Sequence, residues 1–312
     1  MTSDLSAFRV DTPQKGLALV LNDFSQLLVQ MDSQKTALYL AQLAFSLAPD
    51  SVMRLYIGEL LEDLGQYEQA NRLYVDGIKE KILPMSFQIR LALNLGRMQQ
   101  AQAGVDIMQK LVQAYPRIPI FSLILGDLLS QKDDCKSAIQ AYTQSLKAFQ
   151  GNKEPATAVI YFNRGTCYDR IGQFKKAFSD LQTALELVPD NPIYMNYVAY
   201  TWAEQNQSLD KALVLAQKAV ELAPQDGHIL DTLGWIYYRM GQYEKAVEVL
   251  EQAIQRVPAN ATINDHLGDA YWKQGRHREA RFQWEHARVL PEDSSSSLVK
   301  TIENKLNGEQ LP

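Results

Sequence analysis

Thirty-four residues separate Leu233-Gly234-Trp235-Ile236-Tyr237 from Leu267-Gly268-Asp269-Ala270-Tyr271, and the surrounding skeleton moves in step: Gly241 maps to Gly275, Ala246 to Ala280 and Ala253 to Ala287. Gly165, Tyr168, Gly172, Ala177, Ala184 and Pro189 each stand 69 residues before Gly234, Tyr237, Gly241, Ala246, Ala253 and Pro258, which is one step of 34 and one of 35. Self-similarity at this period is the mark of a solenoid, in which each unit packs only on its neighbours. It moves the functional question from an enclosed active site to a surface.

Each clear unit reads as two helices joined by a tight turn. In 227–260 the first helix carries Leu230, Leu233, Tyr237 and Tyr238, apolar at i, i+3, i+7 and i+8. Gly234 lets the paired helix approach, and Gly241 suits the left-handed end of the first helix. Tyr243, Ala246, Leu250 and Ala253 make the stripe of the second helix, which Pro258 ends. These residues resemble the tetratricopeptide repeat, whose 34-residue unit has Leu-Gly, Tyr, an Ala and a closing Pro.

The resemblance is specific for 158–191, 227–260 and 261–294, and good for 192–226, where Val198-Ala199 replaces Leu-Gly and one residue is inserted before Leu209. Degenerate units precede them. Residues 119–150 keep Leu125-Gly126, Leu129, Ala138 and Tyr142; 51–84 keep Gly58, Gly65, Tyr67, Ala70, Tyr74 and Pro84; 18–50 keep Ala37, Ala44 and Pro49. The unit at 85–118 is the weakest, with Gly96 and Ala101 as anchors and a step of only 31 from Ala70. The resemblance implies an all-α, right-handed superhelical solenoid of antiparallel helix pairs, about eight units. A flexible arm is expected over 1–12, degenerate repeats over 13–157 with a loop near 150–156, well-formed repeats over 158–294, and a capping helix and tail over 295–312. Glu292-Asp293 before the serines looks like a helix start. Leu298, Ile302 and Leu306 recur at i, i+4 and i+8, the stripe of a helix that covers the last unit.

Composition narrows the function. With a formal net charge of −5, nothing calls for a nucleic-acid partner. Lys273, Arg276, Arg278, Arg281 and Arg288 are interleaved with Glu279 and Glu285 and read as a solvated face. No stretch reaches the ~20 apolar residues that span a bilayer, so no membrane insertion is expected. Residues 1–12 lack a basic start and an apolar run, so no signal peptide is expected; the reading is a soluble chain, cytoplasmic as given, or periplasmic or envelope-attached if it is the C-terminal portion of a longer protein. Cys135 and Cys167 make no disulfide framework, and Cys167 reads as a small buried residue. His266, His277 and His286 are spaced by 11 and 9, and His228 is remote, so no metal face forms and neither metal nor cofactor is expected. No phosphate-cradling glycine loop occurs. An enzyme is not expected.

In tetratricopeptide arrays the first helices line a concave groove. Carried onto this chain, the groove positions are Asn196, Tyr200 and Glu204; Asp231, Trp235, Tyr238 and Arg239; and Asp265, Asp269, Trp272 and Lys273. Tyr200, Trp235, Tyr238 and Trp272 would share one wall, as clustered aromatics do at interfaces. Interleaved Asp231, Asp265 and Asp269 favour a protein or peptide ligand with basic and apolar groups. The carboxylate clamp of co-chaperones is not expected, because its places hold Phe162, Thr166, Asn196, Tyr200, Asp231, Trp235, Asp265 and Asp269. Residues 192–290 also resemble the C-terminal repeats of long proteobacterial tetratricopeptide proteins. Some of those are envelope lipoprotein adaptors, one branch serving a processing protease. The expected function is therefore a bacterial binding scaffold or adaptor. The alternative is a structural or self-associating module that supports another domain, with a homo-oligomer possible.

Overall fold

Eight backbone corners set the architecture. Asp32, Gly65, Gln99, Asp133, Gly172, Asn206, Gly241 and Gly275 all have positive φ, from 51° to 78°, and each joins the first helix of a pair to the second. This left-handed conformation costs a residue with a Cβ about 1–2 kcal/mol, which is why glycine is its usual occupant. The corners without glycine belong to the units whose sequence pattern is weakest, except for Asn206.

The computed structural model describes residues 11–150, 152–206, 208–290, 296–309 and 311–312. Among these no strand occurs. The pairs are α1 (Pro13–Gln30) with α2 (Gln34–Leu47), α3 (Ser51–Asp63) with α4 (Tyr67–Lys79), α5 (Pro84–Arg97) with α6 (Ala101–Ala114), and α7 (Pro119–Gln131) with α8 (Cys135–Ala148). After a 3-10 turn at Pro155–Thr157 come α9 (Ala158–Arg170) with α10 (Phe174–Leu187), α11 (Pro192–Glu204) with α12 (Leu209–Leu222), α13 (Gly227–Arg239) with α14 (Tyr243–Arg256), and α15 (Ala261–Lys273) with α16 (His277–Val289). The last helix, α17 (Ser296–Asn307), stands alone. Most of the expected arm, Gly151 of the expected loop and the acidic start proposed at Glu292-Asp293 lie outside the described residues.

The fold divides into two compact units, one ending at Asn152 and taking in Arg170–Gly172, the other made of Lys153–Asp169 and Gln173–Pro312. In the first, the pair α5–α6 is as regular as its neighbours. The short step read from Ala70 to Ala101 is corrected: five residues after each corner but Asn206, where the inserted residue makes it six, stands a small packed residue, and after Gln99 that residue is Gly104, 34 beyond Ala70. A Cβ at Gly104 would lie 2.6 Å from the Ala92 carbonyl oxygen, so glycine there replaces the alanine of other pairs. The buried Glu62 carboxylate holds three of these helices together. It accepts from Tyr74 Oη at 2.6 Å and Asn94 Nδ2 at 3.0 Å, and pairs with Arg90 at 3.3 Å and Arg97 at 3.4 Å.

In the second unit Asn191, Asp226 and Asn260 cap α11, α13 and α15 by accepting from backbone amides of the first turn. Successive first helices touch one another, α11 with α13 and α13 with α15, while the second helices form the other layer. A Cβ at Gly234 would come within 2.6 Å of Leu250, so α13 and α14 pack closer than any larger residue allows. Ile302 of α17 is fully buried against Ala280, Trp284 and Ala287, with Leu298 and Leu306 beside it, so α17 covers the stacking face of the last pair.

Candidate functional site

The layer of first helices in the second unit presents its side chains in rows. One row runs Asn196, Asp231, Asp265 on α11, α13 and α15; a second runs Tyr200, Trp235, Asp269, one turn further along the same helices. The rows share a spacing, but their surroundings differ.

At α11 and α13 a polar recess of about 370 Å³ is lined by Asn196, Tyr200, His228, Asp231, Thr232, Asn260 and Thr262. The Asn196 carboxamide oxygen is buried there and accepts no hydrogen bond among the described residues. A buried acceptor without a donor costs about 1–3 kcal/mol, so this atom is a standing demand for an N–H or O–H. Burial, and then the charges of Glu204 and Asp231, push the Tyr200 phenol well above its ordinary range, so it remains a neutral hydroxyl at any physiological pH.

Beside the recess is a stacked aromatic group. The Trp235 indole lies between Tyr238, 4.8 Å away and nearly parallel at 7°, and His266, 4.0 Å away at 13°. Its Nε1–H donates to Glu204 Oε1 at 2.7 Å, and the Arg239 guanidinium stands 5.8 Å over its ring. Arg239 also faces Glu204 at 3.8 Å. Glu204 thus aligns α11 with α13, and the aromatic plane is fixed before any ligand arrives.

The acids expected to await a basic ligand are already partnered. Asp231 Oδ1 is 2.9 Å from His266 Nδ1. Burial alone would lower the His266 pKa, but the Asp231 carboxylate outweighs it by charge and hydrogen bond, with Asp265 and Asp269 adding, and the net shift is upward. Lys305 of α17 reaches both oxygens of Asp265 at 2.8 Å and Asp269 Oδ1 at 2.7 Å. Asp269 also accepts from Trp284 Nε1 at 3.0 Å. All three members of the lysine cluster are buried, and removing one partner of a buried pair costs about 3–5 kcal/mol. The reason for the difference is that α17 brings an amine 40 residues beyond Asp265 onto α15, a distance at which no periodicity signals a contact.

Among the described residues, Asp231 faces His266, while Asp265 and Asp269 share the single amine of Lys305. Burial and the neighbouring Asp265 raise Asp269 to about 6 against the opposing pull of Lys305. Asp269 therefore keeps its proton to a higher pH than an ordinary carboxylate.

The sequence-derived residues therefore separate into three groups. Asn196, Tyr200 and Asp231 meet at the recess; Glu204, Trp235, Tyr238 and Arg239 form the adjoining stack; Asp265 and Asp269 belong to the seam with α17. Trp272 is half-buried, edge-on to His277 at 4.1 Å and 5.4 Å from Trp284, and Lys273 is exposed at the end of α15. His228, Thr232, Asn260 and Thr262 complete the recess and have no motif that marks them. Lys305 could have been suspected only from its place on the covering stripe, three residues after Ile302. Among the described residues no helix is long and apolar enough to cross a membrane.

Sequence models described as tetratricopeptide repeat match residues 120–190, 162–227, 203–254 and 234–275. A TPR repeat-containing protein of Pseudomonas aeruginosa is 28% identical over 188 residues, 60% of this chain and 31% of the relative. The BBSome complex member BBS4 of Bos taurus is 34% identical over 109 residues, 35% of this chain and 20% of its own length. The chain thus spans less than a third of the length of these relatives. Among solved structures, the APC/C hetero-tetramer Cut9-Hcn1 superposes with a TM-score of 0.65 at 15% identity, covering 88% of this chain and 55% of that one. A tetratricopeptide repeat protein from Parabacteroides merdae gives 0.64 at 14%, covering 81% and 99%. At these identities the structures speak to the fold alone.

Proposed function

The chain belongs to the tetratricopeptide repeat family, and from that premise we propose that it is a non-enzymatic scaffold that binds a partner polypeptide on the first-helix face of α11, α13 and α15. One observation carries the reading: the buried Asn196 oxygen without a donor, set in a recess beside a pre-stacked aromatic plane. A bound segment supplies an N–H to Asn196 and lays an apolar side chain on Trp235 and Tyr238. Asp265 and Asp269 take no part, since Lys305 occupies them. Aromatics held rigid before binding lose little entropy on contact, which is how a small surface reaches useful affinity.

The narrower reading is an adaptor in a bacterium, attached to the envelope. The identity with the Pseudomonas protein and the likeness of residues 192–290 to proteobacterial repeat proteins support it.

Selection of peptides from a random display library on the full chain tests the site. Affinities of the selected peptides, measured by fluorescence anisotropy, are expected to fall tenfold or more with Asn196→Leu and with Trp235→Ala. Selected peptides that bind both variants as tightly as the parent chain would remove this face as the binding site.

A further inference from the structure

The second-helix layer of the same unit carries an unexplained cleft. Between α10 and α12 lies an open groove of about 740 Å³, floored by Val198 and Trp202 of α11 and walled by Phe178, Leu185, Val214 and Leu215. Its floor is a break in the repeat. In three other units the equivalent position holds Tyr168, Tyr237 or Tyr271, each covered by a cation of its own unit: Lys176 at 5.4 Å, Lys245 at 5.4 Å and Arg276 at 4.1 Å. Here the residue is Trp202. The inserted residue before Leu209 makes Lys211 the counterpart of Lys176 and Lys245, but Lys211 lies on the rim of the groove. Trp202 instead packs on the alanines of its own pair and meets the half-open ring of Phe178, 5.9 Å away. The rim carries two carboxylates, Glu186 and Asp210, against the one amine of Lys211.

The complement of this groove is on the outer side of α16. Arg278, Phe282, Glu285 and Val289 follow one another at i, i+4, i+7 and i+11, one stripe of a helix, with Arg281 and Arg288 alongside. Phe282 and Val289 are 66% and 65% exposed and lie on one stripe of the helix. Apolar side chains match the floor, the arginines match Glu186 and Asp210, and Glu285 matches Lys211. A groove of this size takes a helix face rather than a single side chain.

We propose that α16 of a second copy of this chain docks in the α10–α12 groove. The pair α13–α14 stands between groove and stripe within one chain, so a chain cannot satisfy itself. Groove and stripe are different patches, so a pair related by a two-fold axis would use both twice, and any other arrangement leaves one of each free for a further copy. This surface is on the opposite layer from Asn196 and is independent of the peptide-binding reading.

Sedimentation velocity of the full chain over a concentration series tests it. The wild type is expected to self-associate into dimers or larger species as concentration rises, and Phe282→Glu and Val214→Glu each to remain monomeric. Mixed in equal amounts, these two variants are expected to form one-to-one dimers and stop, because only one intact groove and one intact stripe remain. A second set reads the charges without touching apolar surface. Glu186→Lys with Asp210→Lys should be monomeric alone and recover pairing when mixed with Arg278→Glu, Arg281→Glu. A wild type that stays monomeric throughout, a single variant that assembles like the wild type, or mixtures that do not pair would overturn the proposal.

Discussion

Gln99 occupies a corner that glycine fills in four other units, with φ of 60° against 70–78° for the glycines. Its Cβ costs about 1–2 kcal/mol in this conformation, while glycine gives back about 0.5–1 kcal/mol in unfolded-chain entropy. Gln99→Gly is therefore expected to stabilise the first unit by about 0.5–1 kcal/mol, read as a higher midpoint in urea with an unchanged slope. Asn206→Gly gains less, since asparagine tolerates the left-handed region. These corners explain why the early units looked degenerate. Their backbone is the same, but a corner can be held by Asp or Gln at modest cost, so the mark disappears while the turn remains. Gly104 is hard to recognise for a related reason: it performs the packing of an alanine and stands three residues after Ala101.

The seam between α15 and α17 is where element-scale electrostatics shows. Asp269 is raised to about 6 in the fold from an ordinary carboxylate value, so the folded protein holds a proton that the unfolded chain has released. For a group shifted upward, stability is fullest below the unfolded pKa and declines as pH rises through the folded one. Between about pH 4 and 6 the wild type should thus lose ground to Asp269→Asn, whose amide oxygen still accepts from Trp284 and which has no proton to lose. Melting temperatures of the two proteins across that interval measure the effect. A difference that stays flat with pH would show that Asp269 is ionised throughout. The covering role of α17 was legible from Leu298, Ile302 and Leu306, because burial imprints a period. The ion pairs were not, because Lys305 meets Asp265 and Asp269, and His266 meets Asp231, across 35 to 40 residues with no repeat of the contact elsewhere to give it a period. An aspartate in a groove row reads the same whether it waits for a ligand or already holds a lysine.

Across the molecule, stability follows neighbours. A Cβ added at Gly234 meets Leu250 at 2.6 Å, and overpacking of this kind costs about 1–3 kcal/mol. Because each pair packs on the next, Gly234→Val should speed amide exchange in α13 and α14 by roughly tenfold or more, while the amides of α1 to α8 keep their protection. Hydrogen exchange by mass spectrometry reads both at once; uniform acceleration along the chain would mean that the array melts as one body. The solenoid itself was written in the spacing of Gly, Ala and Tyr. What the spacing could not convey is that the units have ceased to be equivalent. Lys305 pairs with two carboxylates that the final pair carries together, where the two pairs before it have Asn196 with Tyr200 and Asp231 with Trp235. The last repeat is consequently fitted to its address. Copied into the interior by gene duplication, residues 261–290 would bury the same two acids against a neighbour that has no amine to offer.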